Sequence, residues 1–259
     1  FSGTLSAIRA DDLAAIVIRE LVKRNSSVPL DAIDDVIMGC SNQAGEDNRN
    51  VARMALLLAG LPVTVPGETI TRLCSSGMSA IIHAARAIAA GDGDIFIAGG
   101  VEHMTRAPLV IAKPSKSFGT DAKMEDSSFG WRFVNPKMKE MYGIDPMGNT
   151  AENLVEKYNI TREDQDLFAY HSQMKAAHAQ ENGWLDEEII PVEIPQKKKT
   201  AIVFSKDEFI KPATTVEALA KLKPAFKENG TVTAGTESGL NDGAAGGFRQ
   251  AAEPREVWL

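Results

Sequence analysis

The chain has 259 residues, 44% of them hydrophobic, which is enough to bury the core of one large or two modest domains. Charged residues make up 24% with a net charge of −7, so no basic field exists to attract nucleic acid or an acidic membrane surface. No apolar run of about 18 residues stands out, and Phe1-Ser2-Gly3-Thr4 lacks the charged-then-apolar order of a signal peptide, so a cytoplasmic setting with no membrane contact is the expectation.

In chain order, Ala10-Asp11-Asp12 opens an apolar face at Leu13, Val17 and Leu21, which predicts a helix with an acidic first turn. A short strand over Asp35–Gly39, a polar loop from Ser41 to Asn50 and a helix from Val51 to Gly60 follow. Thr69–Leu73 reads as a strand that runs directly into Cys74-Ser-Ser-Gly-Met78 and an Ala-rich helix from Ser79 to Ala90. Gly91-Asp-Gly93 ends that helix, and Asp94–Ala98 is a further buried strand. Strands alternating with helices predict an α/β fold with a mixed sheet.

After Gly99-Gly100 the texture becomes long, polar and rich in Lys, Met and Pro, and residues 104–228 read as a separate excursion. Two helices are predicted in it, near Thr150–Tyr158 and over Arg162–Asn182, the second introduced by Thr161 with Asp164 three residues on. Lys197-Lys198-Lys199 reads as a solvated loop, with phosphate contact as the alternative. Residues 229–247 return to small-residue texture, with Thr231–Ala234 as a strand and Gly235–Gly247 as a turn and helix start. The tail 248–259 shows neither strand nor helix periodicity.

Only two cysteines occur, Cys40 and Cys74, without metal-ligand spacing, so neither a disulfide framework nor a metal site is expected. Cys74 stands between a strand and a helix. At that position the helix N-terminus favours thiolate over thiol and makes a nucleophile. The alternative is a buried free cysteine acting as a small hydrophobe, which is the reading given to Cys40.

Read together, several words resemble the thiolase family. Arg72-Leu-Cys74-Ser-Ser-Gly-Met78 is followed by Ile97-Ala-Gly-Gly-Val-Glu102 and Met104-Thr-Arg-Ala-Pro108. Around these lie Gly39-Cys-Ser-Asn-Gln-Ala-Gly45, Asn48-Arg-Asn-Val-Ala-Arg53, Trp131-Arg-Phe-Val-Asn-Pro-Lys137 and Met147-Gly-Asn-Thr-Ala-Glu-Asn153. Leu222-Lys-Pro-Ala-Phe226, Gly230-Thr-Val-Thr-Ala-Gly235 and Ser238-Gly-Leu-Asn-Asp-Gly-Ala-Ala245 complete the series. Among thiolases they look most like the degradative 3-oxoadipyl-CoA and 3-ketoacyl-CoA enzymes.

The resemblance implies an N-terminal α/β core over 1–103, a mixed sheet with helices on both faces. It also implies an inserted loop domain over 104–228, a return to the core over 229–247 and an unrecognised tail over 248–259. It implies that Cys74 accepts an acyl group from acyl-CoA to form a thioester, after which a second CoA or acetyl-CoA completes cleavage or condensation. Met147 would belong to a loop over the thioester, and Phe226, Ala234 and Ser238 would line the CoA path. Phe226 as ordinary core and Ser238 as a plain turn residue are the structural alternatives. CoA and acyl-CoA are then substrates, no separate cofactor is expected, and the family points to a homo-oligomer, a dimer or tetramer.

The departures carry equal weight. His83, His103, His171 and His178 are followed by Ala, Met, Ser and Ala, so none stands in the family's Gly-His-Pro word, and Cys40 is not in its Cys-x-Gly word. The C-terminal half is therefore expected to be absent, and the first strand too, which would leave a sheet face exposed and prone to association. Thr71 replaces the usual Asn before Arg-Leu-Cys, and Thr236-Glu237 replaces Asn-Ala before Ser238. A non-catalytic CoA-binding or assembly protein derived from a thiolase is the alternative function. A ketoacyl-synthase-like enzyme is a third reading, opposed by the long excursion and the Gly-Thr-Val-Thr-Ala-Gly word.

Overall fold

A computed structural model describes residues 1–197 and 200–251; Lys198 and Lys199 of the lysine run and residues 252–259 of the tail lie outside the described residues. The chain forms two compact units. The first holds Phe1–Ser128, Val192–Val203 and the chain from Asn241 onward, and the second holds Phe129–Pro191 and Phe204–Leu240. The change of texture at residue 104 thus precedes the change of unit by a hairpin.

In the first unit, α1 (Ala10–Arg24) starts with Asp11 and Asp12 and ends with Lys23 and Arg24, both in the sense that complements the helix dipole. Strand β1 (Asp35–Gly39) is followed by α2 (Val51–Ala59), whose first turn is capped by the Asn50 side chain accepting from Arg53 N–H. Strand β2 (Gly67–Ile70) leads through a turn to α3 (Ser76–Ala90), and β3 (Ile95–His103) follows. Gly60 and Gly91 end α2 and α3 at φ 92° and 87°, a conformation that costs other residues about 1 kcal/mol.

The four-stranded sheet has the order β2-β1-β3-β8, where β8 is Asp242–Gln250. β1 pairs in parallel with β2 and β3, and β8 pairs antiparallel with β3 from Ile95↔Gln250 to His103↔Asp242, so the sheet is mixed. Side chains alternate across it. Ile37, Phe96 and Ala98 pack on Ala80 and Ala84 of α3. Val36, Met38 and Ile97 point the other way, toward the side held by α1 and α2 with Leu13, Ile18, Val51 and Leu56. Each such buried aliphatic side chain contributes about 1.5–3 kcal/mol.

Three expectations are corrected here. Gly235–Gly247 does not begin a helix; its second half is β8, which continues into Phe248–Gln250 of the unrecognised tail. Small residues allow that strand to pair closely with β3, and the partner backbone overrides the missing periodicity. Thr231–Ala234 is not a strand, and among the described residues its ladder contact is the isolated bridge Pro224↔Thr233. The stretch Leu73–Ala90 is, by length and composition, apolar enough to cross a membrane. In the fold it forms the turn and α3, with Met78 and Ile82 on its exposed side.

The excursion begins inside the first unit with β4 (Leu109–Ile111) paired to β5 (Met124–Asp126). The second unit has more helix than the two expected: α4 (Pro136–Tyr142), α5 (Met147–Tyr158), α6 (Arg162–Glu181) and α7 (Val216–Ala220), whereas the ribbon of β6 (Val192–Ile194) and β7 (Ile202–Phe204), which comes between α6 and α7 in the chain, belongs to the first unit up to Val203. The cap of α6 is as its sequence implies, with Thr161 Oγ1 accepting from Asp164 N–H at 3.1 Å.

A charged clasp closes the first unit beside β3. Arg106 donates to both Glu46 oxygens at 2.6 and 2.5 Å and to the Ser6 carbonyl at 3.0 Å, and Arg9 reaches Glu46 at 3.2 Å. The Arg106 hydrogen bonds hold the Glu46 carboxyl below its ordinary 4.5. Because the folded value is depressed, the clasp stabilises above about pH 4.5 and is lost as pH falls through the folded value. Glu46→Gln should cost about 1 kcal/mol near neutral pH and flatten the acid limb of the denaturant-unfolding curve. Parallel pH profiles for the two proteins would exclude this role.

Candidate active site

Cys74 is exposed at the turn between β2 and α3, one residue before the Ser75 that caps the helix. The turn is tight. Leu73 takes φ 49°, a left-handed conformation that costs a non-Gly residue on the order of 1 kcal/mol. Ser76 offsets this: its Oγ accepts from Arg72 N–H at 2.8 Å and donates to the Leu73 carbonyl at 2.6 Å. Ser75 and Ser76 N–H groups return to the Arg72 and Leu73 carbonyls at 3.1 and 3.0 Å. The thiol thus stands on a turn fixed from both sides, at the positive end of a helix.

That helix end rests on sheet backbone. A Cβ on Gly39 would overlap the Ser76 carbonyl carbon and the Gly77 nitrogen, and a Cβ on Gly100 would come 3.4 Å from the Gly77 Cα. The loop after β1 adds a second support. Glu102 accepts from the Ser41 and Asn42 N–H groups at 2.8 and 3.0 Å, and Ser41 Oγ lies 3.4 Å from Ser76 Oγ. Sequence reading did not single out Ser76, Gly39 or Glu102. Their place in the quoted words was the signal: Gly39 and Glu102 act on distant segments and leave no local pattern, whereas Ser76 braces Arg72 and Leu73 within its own turn.

Cys40 is the opposite kind of cysteine. It is buried, with Sγ 3.7 Å from the Asn42 carbonyl and 3.9 Å from Asp47 Oδ2. Burial, followed by the negative charges of Glu102 and Asp47, pushes its thiol far up. Burial also raises the Asp47 carboxyl, although the Gly45 N–H at 2.9 Å opposes this. Cys40, Asp47 and Glu102 gather their side-chain donor atoms within 4.8 Å. Hydrogen bonds within the group and to the loop backbone account for the arrangement.

The histidines take structural positions. His83 sits on α3 with Nδ1 3.3 Å from Glu68 Oε2, and His178 packs edge-on to Trp184 near the end of α6. His171 lies beside Tyr170 on α6. His103 is fully buried at the end of β3. Its Nε2 is 3.2 Å from the Leu5 carbonyl, and its Nδ1 is 3.3 Å from Asp242 Oδ1 but off the line of a hydrogen bond. Asp242 is held instead by Thr105, through N–H at 2.9 Å and Oγ1 at 2.5 Å, so His103 and Asp242 close the last rung of the β3–β8 ladder.

The residues expected along the CoA path all belong to the second unit. Met147 is the first residue of α5 and is exposed. Phe226 is half-buried with its ring against Gly148, where a Cβ would overlap the ring. Ala234 and Ser238 are exposed on the loop after Gly230. Thr236, the substituted residue, closes this loop: its Oγ1 accepts from Thr233 N–H at 2.9 Å and donates to the Thr233 carbonyl at 3.3 Å.

The fold is thus a mixed α/β domain that presents an exposed thiol on a braced strand-to-helix turn, the setting a cysteine nucleophile requires. The comparisons agree on the family. The family model described as "Thiolase, N-terminal domain" matches residues 1–247, and this chain belongs to the thiolase family. It is 57% identical over 256 residues to a Pseudomonas aeruginosa protein named beta-ketoadipyl-CoA thiolase, covering 99% of this chain and 64% of that protein. It is also 57% identical over 245 residues to an Escherichia coli protein named 3-oxoadipyl-CoA/3-oxo-5,6-dehydrosuberyl-CoA thiolase, covering 95% of this chain and 61% of the other. The crystal structure of the Bacillus anthracis acetyl-CoA acetyltransferase superposes with a TM-score of 0.85 at 41% identity, over 96% of this chain and 62% of that one. The chain thus spans somewhat under two thirds of the length of the relatives it matches.

The two cysteines should separate cleanly. One equivalent of iodoacetamide at about pH 8 is expected to label Cys74 alone under native conditions, with Cys40 labelled only after unfolding. Peptide mapping that finds Cys40 modified in the folded protein would exclude the buried, inert assignment. Gly39→Ala should destabilise the protein by about 1–3 kcal/mol and alter the labelling rate of Cys74, because the helix end must move. Gly243→Ala, where a new Cβ meets nothing within 4 Å, serves as the matched control. Equal melting temperatures and labelling rates for the two variants would refute the close-approach argument.

Proposed function

We propose that this chain carries the acyl-accepting part of a thiolase reaction on CoA thioesters. Cys74 Sγ attacks the thioester carbonyl, the new S–C bond forms, the C–S bond to CoA breaks, and CoA leaves as the thiol after taking a proton. The observation that carries this reading is the exposed Cys74 on its braced turn at the N-terminus of α3. The names of the matched relatives favour catalysis over a non-catalytic CoA-binding role, and they point to a 3-oxoadipyl-type acyl chain in the degradative direction.

Met147 is proposed to cover the reacting thioester, with Phe226, Ala234 and Ser238 along the CoA path. A long thin ligand suits apolar walls with a few polar contacts. CoA and acyl-CoA serve as substrates, with no further cofactor. The protein is proposed to act in the cytoplasm as a homo-oligomer, without nucleic acid or membrane partners.

Incubation with acetyl-CoA followed by intact mass measurement and peptide mapping tests the assignment. One acetyl group on Cys74, and none in Cys74→Ser, is expected; no adduct in the wild type, or an adduct elsewhere, would sink it. Sustained cleavage of a 3-ketoacyl-CoA is expected to be at most marginal for these 259 residues, because no histidine stands in a Gly-His-Pro word to serve as base. Robust turnover by a preparation of that mass would overturn this second expectation.

A further inference from the structure

We infer that Glu152 is a positioning residue for CoA binding, a role that rests on the CoA path proposed above. Glu152 lies on α5 and is buried to 3% exposure. Its Oε1 accepts from the N–H groups of Thr231 and Val232 at 2.8 and 2.7 Å, and Oε2 lies 3.5 Å from Thr231 Oγ1. Gln165 Nε2 donates to the same Thr231 hydroxyl at 2.9 Å. These are the amides that a neighbouring strand would otherwise take, and the carboxylate takes them instead.

The consequence reaches the proposed ligand path. Beyond Val232 the chain turns at Thr233–Thr236 and exposes Ala234. On its other side, Ala225 N–H donates to the Val232 carbonyl at 3.0 Å, which couples Phe226 to the same loop. Phe226 also lies on Gly148, one residue after Met147. Helix α5 therefore carries Met147, seats the Phe226 ring through Gly148, and fixes the Ala234 loop through Glu152. Gly230 confirms how closely the carboxylate fits, since any Cβ there would overlap Glu152 Oε1. Glu152 itself touches no ligand on this reading. It acts by holding the backbone that does.

The test uses the full 259-residue chain and CoA itself, with affinity read by isothermal titration calorimetry. Glu152→Ala leaves two buried N–H groups without an acceptor and should weaken CoA binding about tenfold. Glu152→Gln keeps an acceptor oxygen at the same reach and should stay within about twofold of wild type. Both variants should retain the wild-type rate of Cys74 alkylation, which reports on the first unit. Should Glu152→Ala not fold, Glu152→Asp, which keeps the charge but falls one carbon short, carries the test with an expected loss of about threefold. A lowered melting temperature with unchanged CoA affinity would leave Glu152 a merely structural residue and overturn the inference, as would an equal loss in Glu152→Gln. No CoA binding by the wild type would overturn the CoA path itself, a result distinct from equal binding by every variant.

Discussion

The N-terminal end of α3 lies directly on the backbone of β1 and β3, because Gly39, Gly77 and Gly100 have no side chains to hold it away. Everything at the nucleophile follows from that contact. A helix brought this close must leave β2 through a short turn, which forces Leu73 into the left-handed region and requires a local brace, supplied by the Ser76 hydroxyl. The same proximity demands small residues along the sheet-facing side of the helix, and Ala80 and Ala84 meet that demand. Cys74 then projects from the turn, exposed beside the helix N-terminus.

Buried and half-buried carboxylates do in the loops what strands do in the sheet. Glu102 takes the amides of Ser41 and Asn42, Asp47 takes that of Gly45, Asp242 takes that of Thr105, and Glu152 takes those of Thr231 and Val232. An irregular segment cannot satisfy its own N–H groups, and an unpaired buried amide costs about 1–3 kcal/mol, so each acid replaces a missing ladder partner. The device also sorts the cysteines. Burial first, and then the charges of Glu102 and Asp47, push the Cys40 thiol up, whereas the groups that brace the Cys74 turn are a hydroxyl and backbone.

The α/β class, the positions of α1 to α3 and the strand-to-helix setting of Cys74 were legible in the sequence, because 3.6-residue periodicity and Gly punctuation are local signals. Strand β8 was not. Asp242–Gln250 has neither alternation nor β-branched residues, and it is a strand only because β3 offers a full backbone edge. Thr231–Ala234 failed in the opposite sense: its β-type residues suggest a strand, but the Glu152 carboxylate claims the amides a ladder needs. The roles of Glu102 and Glu152 depend on partners 61 and 79 residues away, and no pattern within a short window encodes them. His103 belongs with these, since its burial against Asp242 joins the two ends of a ladder closed only by the fold.

On the proposed reading, the chemistry divides along a line that these residues respect. Moving an acyl group from CoA to Cys74 exchanges one thioester for another, so it is nearly balanced in energy and needs mainly a good sulfur nucleophile, a held thioester and a thiol leaving group. Breaking or making the bond at the α-carbon is different, because negative charge must develop on carbon and its carbonyl oxygen, and that charge needs a positioned acid–base group. In that proposal Cys74 is the sulfur nucleophile and the loop ordered by α5 holds CoA. Of the histidines in the first unit, His83 faces Glu68 and His103 is sealed at a strand end, so neither is among the groups that brace the Cys74 turn. On that reading, Cys74 on its braced turn suits acyl capture, the step that asks least of an acid–base group.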